Sequence, residues 1–153
     1  MKFLKAFISF LIINFGALGI GSWLMAEGPQ GNWYTQLEKA PWTPEGWVFG
    51  VAWTIVMICF STYMAFLYLK RPTHKVLTLF IVQFVLNVSW NFIFFNQQLI
   101  DLALVNIILL LIIVTALLFT YIKDLHGKTI LIFPYVIWLS IATSLNLYIY
   151  IYN

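Results

Sequence analysis

The sequence predicts an all-α, multi-pass membrane protein that folds as a bundle of five transmembrane helices. Of its 153 residues, 63% are hydrophobic and only 8% are charged, whereas an ordinary soluble domain is about 45–50% apolar and about 25% charged. Five apolar stretches reach the ~20 residues that a helix needs to cross a ~30 Å hydrocarbon core. A nucleic-acid-binding protein, a disulfide scaffold and a disordered chain are excluded by this composition.

The charged and turn-forming residues divide the chain into its predicted elements. The spans are residues 6–26, 46–69, 76–95, 102–122 and 129–152. Three short connections and one long outer loop, residues 27–45, separate them. Short connections force consecutive helices to pack antiparallel. We therefore expect one transmembrane domain covering residues 1–153.

The first stretch has a signal peptide as its alternative, because Lys2 and Lys5 precede the apolar run. That run is about 20 residues long, whereas the apolar region of a signal peptide spans ~7–15 residues. No small-residue cleavage site of the A-x-A type follows it. A retained helix is the favoured interpretation.

The positive charges predict how the bundle is oriented. Seven of the eight Lys and Arg residues fall at one end of the predicted helices, and only Lys39 falls at the other. The seven are Lys2, Lys5, Lys70, Arg71, Lys75, Lys123 and Lys128. By the positive-inside rule, we expect a cell-membrane protein with its N-terminus in the cytoplasm and its C-terminus outside.

The spans carry amides instead of ionisable groups. No Asp, Glu, Lys, Arg or His lies in the middle of a span, and His74 and His126 lie in predicted loops. We therefore expect no acid–base catalytic residue, no metal site and no proton-coupled pump. Gln83 and Asn87 share one helix face, and Asn106 lies in the next span. Each amide either holds two helices together or orients a ligand in an apolar pocket.

Two tryptophans lie deep within their predicted helices. Trp53 aligns with Phe49 and Met57 at four-residue spacing, and Trp138 aligns with Ala142 and Leu145. Flat aromatic walls beside a small residue and a few amides suit a large, planar, apolar ligand. The tryptophans near the outer boundary, for which an aromatic belt is the default explanation, are Trp23, Trp33, Trp42 and Trp47.

These residues occur in motifs that resemble a known family. The segment from Asn32 to Gly50 reads NWYTQLEKAPWTPEGWVFG and is followed by Trp53; QFVLN then spans residues 83–87. Trp90, Phe94–Phe95, Pro134–Tyr135 with Trp138, and Leu145–Asn146 complete the pattern. It resembles the TspO/translocator protein family, the tryptophan-rich sensory proteins or peripheral-type benzodiazepine receptors, from Trp33 to the end of the chain.

The resemblance implies a five-helix fold, commonly dimeric, with a pocket beneath the first loop. It also implies porphyrin as the ligand, with no separate cofactor; related proteins also bind cholesterol and synthetic isoquinoline or benzodiazepine ligands. The expected partners are thus a porphyrin or similar planar molecule, with sterol as an alternative, the lipid bilayer and a second copy of the chain. The residues that the resemblance assigns to the pocket are Trp42, Pro44, Phe49, Trp53, Met57, Asn87, Trp90, Trp138, Ala142 and Leu145.

The sequence departs from the family pattern at several positions. Glu45 replaces a second proline in the loop, Met57 replaces a frequent tyrosine, and Asn106 replaces a frequent acidic residue. A cholesterol-recognition pattern would start at Leu145 and Tyr148, but no basic residue follows. Such patterns are weak evidence in any case, so sterol transport is not predicted.

Three functions remain open at this stage. The leading one is a membrane receptor or carrier for porphyrins that acts in porphyrin homeostasis or stress signalling. The second is an enzyme that degrades bound porphyrin in light, with Trp53 and Trp138 as its redox-active residues. The third is a structural or partner-docking membrane protein whose long outer loop is the contact surface.

Overall fold

The computed structural model describes all 153 residues, and every regular element in it is helical. This confirms the predicted fold class. The helices are α1 (Lys2–Leu24), α2 (Asn32–Gln36), α3 (Gly46–Lys70), α4 (His74–Asn91), α5 (Ile100–Leu125) and α6 (Phe133–Tyr152). Tight 3-10 turns occupy Gly28–Gln30 and His126–Ile132, and a wide π turn at Phe92–Asn96 ends α4.

Four continuous helical segments are long and apolar enough to cross a membrane. The fourth, Ile100–Tyr152, is 53 residues long and contains both α5 and α6. These two helices pack against each other, so the chain reverses direction within the 3-10 turn between them. The bundle therefore has five long helices.

The observed helix boundaries differ from the predicted ones near charged residues and at a 3-10 turn. Helix α1 starts at Lys2 and α5 continues to Leu125, because lysine side chains extend to the interface without ending a helix. The predicted fifth span began at residue 129, but α6 begins at Phe133 with Pro134 in its first turn. Proline suits that position because its missing N–H would have no partner there.

The five long helices form a closed ring in the order α1, α4, α5, α6 and α3. Helix α3 also contacts α5 across the middle. Its inward face fills the core with Phe60 and Tyr63, which are fully buried. The Tyr63 hydroxyl donates to the backbone carbonyl of Leu117 on α5 at 2.9 Å. The large apolar side chains that remain exposed lie on the outside of the ring, as expected for a surface that faces lipid.

Polar side chains connect neighbouring helices inside the ring. Asn14 on α1 donates from Nδ2 to the Ser61 hydroxyl on α3 at 2.8 Å. Asn106 on α5 donates to the Ser89 hydroxyl on α4, also at 2.8 Å. In an apolar solvent such bonds draw helices together. Of the two roles expected for the amides, holding helices together or orienting a ligand, Asn106 therefore has the first.

Candidate functional site

The outer loop, residues 27–45, lies across one end of the bundle. It contains α2, which places Trp33 and Tyr34 against Phe94 with ring centroids 5.5 Å and 6.1 Å away. Trp33 is half-buried. It therefore holds the loop on the end of α4, whereas the sequence pattern assigned it to an aromatic belt at the lipid boundary.

The second half of the loop is attached to α6. The backbone N–H of Glu38 donates to Asn153 Oδ1 at 2.9 Å, and Asn153 Nδ2 donates back to the Glu38 carbonyl at 3.1 Å. The Tyr148 hydroxyl donates to the Glu38 carboxylate at 3.4 Å. The indole N–H of Trp42 donates to the Ser144 hydroxyl at 3.2 Å. The loop is thus a lid held by hydrogen bonds at the bundle's rim.

Sequence reasoning did not assign Asn153 and Tyr148 any part in fastening the lid. Tyr148 belongs only to an incomplete sterol pattern, and Asn153 is not among the predicted site residues. The pairing of Asn153 with Glu38 joins residues 115 positions apart. A single sequence carries no signal for a contact of that range.

Beneath the lid, α3 and α6 form an aromatic wall. The rings of Phe49 and Trp138 meet edge to face with centroids 5.4 Å apart. One turn deeper, Trp53 meets Tyr135 in the same geometry at 6.0 Å. Phe49 and Trp53 are each half-buried. The four-residue spacing on α3 thus places both aromatic residues against α6, as a shared pocket requires.

Two side-chain bridges connect α4 to the same face of α6. The Tyr135 hydroxyl donates to Gln83 Oε1 at 2.7 Å, and the Trp90 indole N–H donates to Asn146 Oδ1 at 3.0 Å. Gln83 and Trp90 lie seven residues apart on α4, about 10 Å along the helix axis. Asn87 lies between these two bridges on the same helix face.

Two buried polar groups on α6, the Trp138 indole N–H and the Thr143 hydroxyl, have no hydrogen-bond partner in the protein. The whole Trp138 residue is only 7% exposed, and its indole N–H makes no hydrogen bond. Asn87 is 6% exposed and takes part in none of the side-chain hydrogen bonds of α4. A buried donor without a partner costs about 1–3 kcal/mol. A ligand that accepts from the Trp138 indole N–H would recover that energy.

The other predicted site residues differ in burial. Ala142 is half-buried beside the aromatic core, Pro44 is half-buried in the lid, and Leu145 and Met57 are buried. Met57 is fully enclosed, so it supports the wall from behind in this closed arrangement. Because the Phe49 and Trp138 rings touch, a planar ligand requires them to separate and the lid to lift.

The remaining chemistry of the chain is limited. No group of three or more His, Cys, Asp or Glu side chains could hold a metal ion. The Tyr34 hydroxyl in the lid has a raised pKa because it is buried. Charged groups lie at the two ends of the bundle, so aromatic surface and unpaired donors dominate the candidate pocket.

Comparisons with known proteins agree with this arrangement. The model of the TspO/MBR family matches residues 8–151. The tryptophan-rich protein TspO of Archaeoglobus fulgidus is 34% identical over the whole chain and 97% of its own length. The tryptophan-rich sensory protein of Cereibacter sphaeroides is 28% identical, over 75% of this chain and 73% of its own. The human translocator protein is 30% identical, over 75% and 71%. With the helical ring, the lid and the tryptophans in the expected order, the chain belongs to the TspO/MBR family.

Proposed function

We propose that this protein is a membrane receptor or carrier that binds porphyrins between α3, α4 and α6, beneath the lid. The names of its relatives, among them tryptophan-rich sensory protein and translocator protein, support a sensory or receptor role in the membrane. The observation that carries the proposal is the buried, unpaired indole N–H of Trp138, which lies in an aromatic wall with Phe49.

A porphyrin matches the chemistry of this wall. Its flat face stacks on Trp53 and Trp138, and aromatic stacking on a protein is worth about 1–3 kcal/mol per ring. Its peripheral carboxylates accept hydrogen bonds from the indole N–H of Trp138 and the amide of Asn87. No histidine lies within the helical ring to serve as an axial ligand. Metal-free porphyrin should therefore bind at least as tightly as haem.

The test is a porphyrin titration of the full chain in lipid nanodiscs, followed by quenching of tryptophan fluorescence. Trp138→Phe keeps an aromatic ring but removes the N–H, so we expect about fivefold weaker binding, or about 1 kcal/mol. Trp23→Phe is the matched control, because Trp23 is 81% exposed on the outside of α1. Equal affinities of the two variants would place the ligand away from α6 and refute the pocket.

The same titration under illumination separates a receptor from a light-dependent enzyme. Porphyrin released from a receptor has an unchanged absorption spectrum, whereas an enzyme degrades the porphyrin, so that its absorption is lost. No binding at all, in darkness or in light, would favour a docking role for the lid and the adjoining start of α3, where Trp42 and Trp47 are more than half exposed.

A further inference from the structure

A cavity of about 620 Å³ lies at the end of the bundle opposite the lid. It opens between the last turn of α3 and the connection from α5 to α6. Phe66, Leu69 and Lys70 line it from α3, while Asp124 and Lys128 line it from the other side. Its volume lies within the range of small-molecule sites, and the porphyrin proposal makes no use of it.

The charges around this cavity are unbalanced in favour of cations. Asp124 is already neutralised by Arg71, whose Nη2 and Nε lie 2.9 Å and 3.0 Å from one carboxylate oxygen. This is the only ion pair in the chain. The ammonium of Lys70 donates to the backbone carbonyl of Asp124. Lys128 places its Nζ 3.9 Å from the centroid of the Phe66 ring and has no acidic partner.

The surroundings of the cavity are those of a membrane boundary. Lys70 is the last residue of α3, and the preceding Leu69 is exposed on the outside of the bundle. Ile130, in the connection to α6, is 68% exposed. An amphiphile seated here would place an anionic group among the lysines and its apolar chains along these side chains. Gly127 also lines the cavity, and no atom lies within 4 Å of the position that a Cβ would occupy there. The cavity is therefore open at Gly127.

We infer that this cavity binds the phosphate-bearing headgroup of an anionic phospholipid, with Lys128 and Lys70 as its cationic contacts. Basic pockets beside transmembrane helices suit anionic headgroups, and each lysine near the surface contributes attraction. The exposed apolar side chains next to the opening favour a lipid over a free phosphate ion. The uncompensated lysines favour an anionic lipid over a zwitterionic one.

The test is native mass spectrometry of the full chain, released from micelles doped equally with phosphatidylglycerol and phosphatidylcholine. We expect phosphatidylglycerol to be retained preferentially. Lys128→Gln should reduce that preference about fivefold, whereas Lys128→Arg should keep it. Lys75→Gln is the matched control, because Lys75 is an exposed lysine at the same end that does not line the cavity.

A second pair of variants tests the site by repulsion. Gly127→Glu adds a carboxylate at the cavity wall and should abolish the preference, whereas Gly127→Gln adds the same volume without charge and should retain most of it. An equal loss in Lys75→Gln and Lys128→Gln would overturn the inference in favour of diffuse attraction to the basic end. Displacement of the lipid by millimolar inorganic phosphate would overturn it in favour of a free anion.

Discussion

Replacing Asn87 by leucine should stabilise the empty protein and weaken ligand binding. Asn87 is 6% exposed and its amide makes no hydrogen bond within the protein, so Asn87→Leu removes a largely buried polar side chain without breaking a hydrogen bond. We expect unfolding free energy to rise by about 0.5–1 kcal/mol, because leucine has the same branching and number of side-chain heavy atoms but no polar atoms. Porphyrin affinity should fall several-fold, since the orienting amide is lost.

Gln83→Leu is the matched comparison on the same face of α4. It removes the acceptor of the 2.7 Å bond from Tyr135, which is fully buried. An interhelical hydrogen bond in a membrane is worth about 0.6 kcal/mol on average, and the orphaned hydroxyl adds its own penalty. We expect a loss of about 1–2 kcal/mol in unfolding free energy.

Unfolding both variants in mixed micelles of increasing SDS content, followed by circular dichroism, gives the two stabilities. Fluorescence quenching in the same micelles gives their porphyrin affinities. If Asn87→Leu loses as much stability as Gln83→Leu, the Asn87 amide holds the helices together. The claim that it is free to orient a ligand would then be wrong.

Three further predictions concern the lid, the deep tryptophans and the topology. Asn153→Ala removes both hydrogen bonds to Glu38 and should speed porphyrin dissociation about fivefold in stopped-flow measurements; an unchanged rate would mean that the lid does not gate the pocket. Trp53→Phe should bind porphyrin about fivefold more weakly, and any light-driven product should disappear, because phenylalanine is much harder to oxidise than tryptophan; undiminished product would exclude Trp53 as the redox group. A reporter fused after Asn153 should lie outside the cytoplasm and one inserted at residues 70–75 inside, and reporters on the same side would contradict the five-helix topology.

Much of the fold follows from the sequence because the bilayer imposes a simple rule. Every backbone polar group in lipid needs an internal partner, so each long apolar stretch becomes a helix. The apolar stretches between charged and turn-forming residues therefore predicted five helices. The boundary of α6 was predicted less well, because the turn at His126–Ile132 is itself helical and its apolar residues 130–132 continue directly into the apolar sequence of α6.

Part of the candidate site could likewise be predicted from the sequence, and part could not. Helical periodicity placed Phe49, Trp53 and Met57 on one face, and the structure sets two of these three side chains against aromatic residues of α6. Periodicity treated the amides alike, whereas tertiary contacts separate them: Gln83 is bonded and Asn87 is not. That difference depends on which helix lies opposite.

The sequence by itself determined the membrane environment, the helical class, the asymmetry of charge and the aromatic composition of the pocket wall. These properties follow from composition and from spacing along one chain segment. Only the tertiary structure decided the ring order of the helices, the attachment of Glu38 to Asn153 and the unpaired state of the Trp138 indole. Each of these depends on contacts between residues distant in sequence, and side-chain hydrogen bonds form or fail according to the neighbour that packing provides.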